Sequence, residues 1–281
     1  MGIPERLLDG IDRLKPLPIT AQKLIVLLNQ EEVNFNEAAE IIEYDGAVAS
    51  NLLRAANSSA FGGRFPVKNL RDAVVRLGTA ALLHIVLADH LKSLSVSAPM
   101  YDLMEDDLWQ HGAAASLAVK AMIQETRNSR IPKVSAIAAL IHDIGKLIMV
   151  RYLNVDVWMI RALCAEKKFT FVDAERELFH CDHAEVGGAI ARKWYFPEPI
   201  RLAIEQHHKF PVPKAGPVLD AVMLANLAAK SIGVGLGAEG MNFQIDYAGC
   251  LKRLWLTIEG FERVCAQTHI WLRELRQKHA A

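Results

Sequence analysis

The apolar residues of this chain recur at helical spacing almost from end to end, and that pattern excludes most folds. Leu24, Ile25, Leu27 and Leu28 make one face after "LPIT". Asn36 is placed to cap a helix carrying Ala39 and Ile42 and ending near Gly46. "AVASNLLRAANSSAFGG" reads as a helix running into a Gly-rich turn, "NLRDAVVRLG" as a short helix with a Gly stop, and "TAALLHIVLADHLKSL" as the helix after it. Further helices are expected over about 105–126, 134–151, 156–168, 171–179, 183–195, 199–209 and 216–232, with two more amphipathic ones in 244–279. No strict alternation is long enough for a sheet, so the expected fold is all-α.

Small and polar residues and Pro99 interrupt the pattern in "SLSVSAPMYD", residues 93–102. That break suggests two packed helical lobes: an N-terminal one over 1–100 and a second over 101–232, with a helical extension over 233–281. The 281 residues, 52% hydrophobic, suffice for a full core. Lys and Arg balance Asp and Glu at 32 each, which leaves no basic footprint for nucleic acid. The longest apolar runs are broken by His, Asp or Lys before membrane-spanning length, and "MGIPERLLDGIDRLKPLP" does not read as a secretory signal. Cys164, Cys181, Cys250 and Cys265 form no CxxC pair and read as reduced thiols of a cytoplasmic protein.

One apolar run is anomalous. "VSAIAALIHDIGKLIMV", residues 134–150, carries His142, Asp143 and Lys146 in its middle. An unpaired buried carboxylate is costly, so something must compensate it. Asp143 and Lys146 could form a plain buried ion pair at i, i+3. A divalent cation is the other compensation. Ten histidines are present. His84, His90, His180, His269 and His279 show no cluster around them. His111, His142, His183, His207 and His208 fall with Asp107 and Asp143 on four expected helices of the second half. Asp107 and His111 share a face at i, i+4, and Asp182 and Glu185 have the spacing of a helix cap around His183. Each residue alone could be an ordinary polar side chain. Together they are ligand types for iron, manganese or zinc.

"LIHDIGKL" resembles the H-D-x-G-K signature of the HD superfamily of metal-dependent phosphohydrolases. The order His111, His142-Asp143, His183, His207-His208 resembles the extended pattern of the HD-GYP branch. "LPITAQKLIVLL", "IIEYDGAVASNLLRAANSSAFG" and "NLRDAVVRLGTAALLHIVL" are similar to the HDOD family, over about residues 14 to 230. The resemblance implies an HD-like helical bundle for the second lobe, in a bacterial signal-transduction protein. It implies one or two divalent ions (Fe, Mn, Zn or Mg) on His111, His142, Asp143, His183, His207 and His208, with Asp107 as an additional ligand. Asp143 and Lys146 would be catalytic, Lys146 facing the phosphate of a phosphoester or nucleotide.

Two departures stand out. "HHKFPVPKAG" lacks the G-Y-P segment, which removes the warrant for cyclic di-GMP. The best match to the late metal-binding Asp is Asn226, which offers only a neutral carbonyl oxygen. Two functions follow: a metal-dependent phosphohydrolase, or a non-catalytic module that binds a signalling protein through residues 1–100. A third, helix-turn-helix DNA binding by "FNEAAEIIEYDGAVASNLLRAAN", has only Arg54 to anchor phosphate on its second helix, and neither DNA nor membrane is an expected partner.

Overall fold

The computed structural model describes residues 2–28, 30, 33–57, 65–92, 98–104, 106–127, 130–209, 211, 216–242 and 244–279. Among them every regular element is a helix, and the only β pairing is an isolated bridge between Ala98 and Leu103. The helical period noted above is the cause: each amphipathic segment hides its apolar stripe against another.

The first helices are α1 (Glu5–Asp12), α2 (Ile19–Leu28), α3 (Phe35–Glu43), α4 (Gly46–Asn57) and α5 (Leu70–Lys92). The cap of α3 is Asn34 rather than Asn36; its side chain accepts the amides of Asn36 and Glu37. Helix α5 joins the two segments expected on either side of Gly78, which has φ 75 and kinks the helix there. Asn57 closes α4 onto the chain ahead of α5. It donates to the carbonyl of Val67 at 2.8 Å and accepts the Val67 amide at 2.7 Å. The turn expected at "SSAFGG" and the boundary at 93–97 lie outside the described residues.

The remaining helices are α6 (Asp107–Thr126), α7 (Ser135–Ile141), α8 (Ile144–Tyr152), α9 (Val157–Lys167), α10 (Phe171–Phe179), α11 (His183–Lys193), α12 (Glu198–Gln206), α13 (Pro217–Ser231), α14 (Tyr247–Leu254) and α15 (Ile258–His279). Helices α2, α3 and α4 pack around α5, and α5 touches α7. Helix α6 is the hub of the second half, against α7, α13 and α15, while α11 lies on α8 and α12. Helix α1 packs on α8 and α11, away from its sequence neighbours. The four cysteines are free thiols, Cys181 and Cys250 buried.

The segment expected as one helix over 134–151 is two. It breaks at His142-Asp143, with Asp143 at φ −92, ψ 11 between α7 and α8. In an unbroken helix these adjacent side chains would diverge by about 100°. At the break His142 Nε2 lies 3.7 Å from Asp143 Oδ1, so both side chains face the same point.

Candidate metal centre

Four helices and the α7–α8 break aim their polar residues at that point. Helix α6 carries His111, the α7–α8 break His142 and Asp143, the first turn of α11 His183, the end of α12 His207 and His208, and the middle of α13 Asn226. Asp182 caps α11 by accepting the Glu185 amide at 2.8 Å. Gly145 of the "HDIGK" motif is where α8 meets α11: a Cβ there would lie 1.9 Å from the carbonyl oxygen of His183. Only glycine permits that approach.

All these side chains are buried. Asp143 is the centre of the cluster. Its Oδ1 lies 3.3 Å from His183 Nε2, 3.5 Å from His207 Nε2 and 3.7 Å from His142 Nε2. Its Oδ2 lies 3.8 Å from His111 Nε2 and 2.7 Å from Lys146 Nζ. Two groups of donor atoms result, each within 4.8 Å: Asp143, His183, His207 and His208 form one, and His111, His142 and Asp143 the other. Asp143 belongs to both.

The far sides of four rings are fixed. Nδ1–H donates to Ala139 O in His142, to Ile204 O in His207 and to Val234 O in His111, at 2.7, 2.7 and 3.0 Å, and to Glu175 Oε2 in His183 at 2.7 Å. A backbone carbonyl or carboxylate on one ring nitrogen orients the other as a ligand. Burial pushes His111, His142 and His208 below the ordinary histidine range, so these rings are neutral at physiological pH. The Nε2 lone pairs of His111 and His142 therefore face each other across 3.2 Å. Asn226 Oδ1 approaches the same His111 nitrogen at 3.1 Å. Nearby, Asp143 Oδ1 and His207 Nε2 are buried without a hydrogen-bond partner among the described residues. A cation suits such converging acceptors; two ligands about 2.1 Å from one ion at a right angle stand about 3 Å apart.

Two ionisations complete the electrostatics. Burial opposes the charge of Asp143, yet Lys146 and the imidazoles outweigh it and hold the carboxyl well below its usual range. Burial also works against a charged His183, but Glu175 and Asp143 lift it to about 10.

Two acidic residues of this network were not among the sequence candidates. Glu175, fully buried on α10, binds both the amide and the ring of His183 and accepts the Tyr101 hydroxyl at 2.6 Å. Its signal was present: Phe171, Glu175 and Phe179 fall on one stripe, an acid amid aromatics. Glu239, 4% exposed, takes Lys146 at 2.9 Å and Lys230 at 2.8 Å. It lies in a Gly-rich segment with no periodicity to mark it. Lys146 is thus held by two carboxylates, Asp143 and Glu239. Asp107 is not brought into the cluster. It sits half-buried in the first turn of α6, where its carboxylate accepts the Met104 amide at 2.8 Å. His180 and His269 are exposed, and the side chains of His84, His90 and His279 lie outside the described residues.

The HDOD domain model matches residues 14–210. The chain belongs to the HDOD domain family. An uncharacterised protein of Treponema pallidum (strain Nichols) is 24% identical over 228 residues, which are 79% of this chain and 43% of that protein. The HDOD chain thus spans less than half the length of that curated relative. A solved HDOD domain protein of unknown function from Geobacter sulfurreducens is 24% identical with a TM-score of 0.64, covering 97% of this chain and 92% of that one. A candidate signal transduction protein from Marinobacter aquaeolei VT8 gives 20% and 0.74, covering 99% and 65%. A candidate metal-dependent phosphohydrolase from Shewanella amazonensis SB2B gives 18% and 0.52, covering 93% and 96%. At these identities the likenesses show the fold. No helix among the described residues is long and apolar enough to cross a membrane.

Proposed function

We propose that this HDOD protein is a signal-transduction module whose His/Asp centre holds one or two divalent metal ions and takes a phosphoester. The observation that carries the reading is the convergence of imidazole Nε2 atoms on Asp143 while the opposite nitrogens of His111, His142, His183 and His207 are engaged elsewhere. The nitrogen-rich donor set suits iron, manganese or zinc better than magnesium. When bound, such ions supply Lewis acidity toward a phosphoryl oxygen. The chain's own groups do the rest. Asp143 is the carboxylate common to both donor groups, Glu175 fixes the ring of His183, and Lys146 brings positive charge for the phosphate. Asn226, a neutral oxygen beside His111, leaves one donor group short of a charge, so hydrolysis is expected to be weak.

A second reading, a non-catalytic regulatory module that binds a signalling protein, is favoured by the burial of the whole centre and by Lys146 being already paired. Metal analysis of the purified protein, with a phosphoesterase panel under added manganese and iron and Asp143→Ala alongside, separates the readings. Metal and hydrolysis lost together in the variant support the enzyme. Metal without hydrolysis supports the regulatory module. A wild-type protein that takes up no divalent metal sinks the centre itself.

A further inference from the structure

Residues Gly233–Asn242 run as turns between α13 and α14 and press against the centre. The carbonyl of Val234 accepts the His111 ring at 3.0 Å, and the amide of Ala238 donates to Tyr101 O at 2.7 Å. Gly235, at φ +68, leaves no room for a side chain: a Cβ would meet the His111 ring at 2.6 Å. From this strap Glu239 enters the interior, where its two oxygens lie 2.9 Å from Lys146 Nζ and 2.8 Å from Lys230 Nζ, with His208 Nε2 at 3.6 Å.

The charges around it are informative. Asp143 balances one lysine and Glu239 the other. Lys230 also donates to the Gly240 carbonyl at 3.2 Å, and without Glu239 the two buried ammoniums beside the rings of the candidate centre would share one carboxylate fewer. That is the chemistry of an oxyanion site, and a carboxylate bridging two ammoniums imitates two oxygens of a phosphate.

We propose that Glu239 is an internal stand-in for ligand phosphate, held between Lys146 and Lys230 by the Gly233–Asn242 strap, and that a phosphate-bearing ligand enters by displacing it. The ligand class rests on the phosphoester reading above; the two-lysine clamp does not depend on metal. Gly233 and Gly240, both at positive φ, face open space at the ends of the strap, while Gly235 and Gly237 are packed against His111 and Tyr101.

The test uses the full chain, metal-free, with inorganic phosphate as the probe. In Glu239→Gln, calorimetry should show phosphate binding at least about tenfold tighter than in wild type, because a tethered competitor has lost its charge. Lys230→Met in that background should remove the gain. In wild type, saturating phosphate should speed hydrogen exchange of amides 233–242, a readout that survives even if the variants fail to fold. Unchanged phosphate affinity in a folded Glu239→Gln, or slower exchange of the strap with phosphate, overturns the proposal. So does a Glu239→Gln that, reloaded with manganese, has lost metal without gaining phosphate, since Glu239 is then a metal ligand. A wild-type chain that binds no metal fails the centre but leaves the phosphate measurement intact.

Discussion

Helices α2–α5 and the helices around α6 are built from the same kind of amphipathic segment, yet they spend their interiors differently. Leu24, Ile25, Ile42, Leu52, Leu82 and Leu83 fill the first group. Among the described residues, every buried polar or charged side chain falls at or beyond His111. The polar side chains of the first group work at its edges, as Asn34 and Asp45 do when they cap α3 and α4. An apolar core needs only shape, whereas buried imidazoles and carboxylates need partners placed to fractions of an ångström. Among the described residues the contrast places the candidate ligand chemistry in the second half.

The sharpest way to break that contrast is Asp143→Ala. It should abolish metal retention, read by elemental analysis, and destabilise the metal-free fold by roughly 3–5 kcal/mol in urea, the usual cost of breaking a buried charge network. Leu52→Ala is the counterpart in the first half. It should cost about 2–5 kcal/mol of stability and leave the manganese affinity of the folded fraction unchanged. If it weakens metal binding as Asp143→Ala does, the two regions are not separable.

Glu175→Gln should lower metal affinity about 10–100-fold through its effect on His183. It should also flatten the pH response. Because Glu175 and Asp143 lift His183 to about 10, a metal must displace a proton there at neutral pH. Manganese affinity in wild type should therefore rise with pH between 7 and 9, by about tenfold per unit for one released proton. A pH-independent dissociation constant over that range contradicts the assignment of His183 as a ligand. Asn226→Asp should tighten metal binding about tenfold, since it adds a charge 3.1 Å from His111 Nε2. The smallest effect belongs to Asn34→Ala, which removes the α3 cap. Thermal unfolding should show about 1 kcal/mol lost and metal content should not change.

Much of this was legible in the sequence because helices announce themselves locally. The boundaries of α6, α9, α10 and α13 fall within a residue or two of those expected from apolar period and punctuation. The resemblance to the HD pattern marked His111, His142, Asp143, His183, His207 and His208 as one set, and their donor atoms lie together in the structure. Faces and neighbours were less legible. Asp107, implied by the resemblance as a further ligand and sharing a face with His111, accepts the Met104 amide at the start of α6. The apolar run at 134–151 read as one helix because its composition carries no breaker at His142-Asp143.

Periodicity and residue chemistry, which act over a turn or two of chain, determined the all-α class and the set of candidate ligands. Only the tertiary structure decided which acids serve them. Glu175 sits eight positions from His183, and Glu239 stands 93 positions from Lys146. A glutamate reads as a surface residue until packing buries it, and burial is what turns its charge into an obligation to be paired. No local pattern records which helix will arrive to close over it.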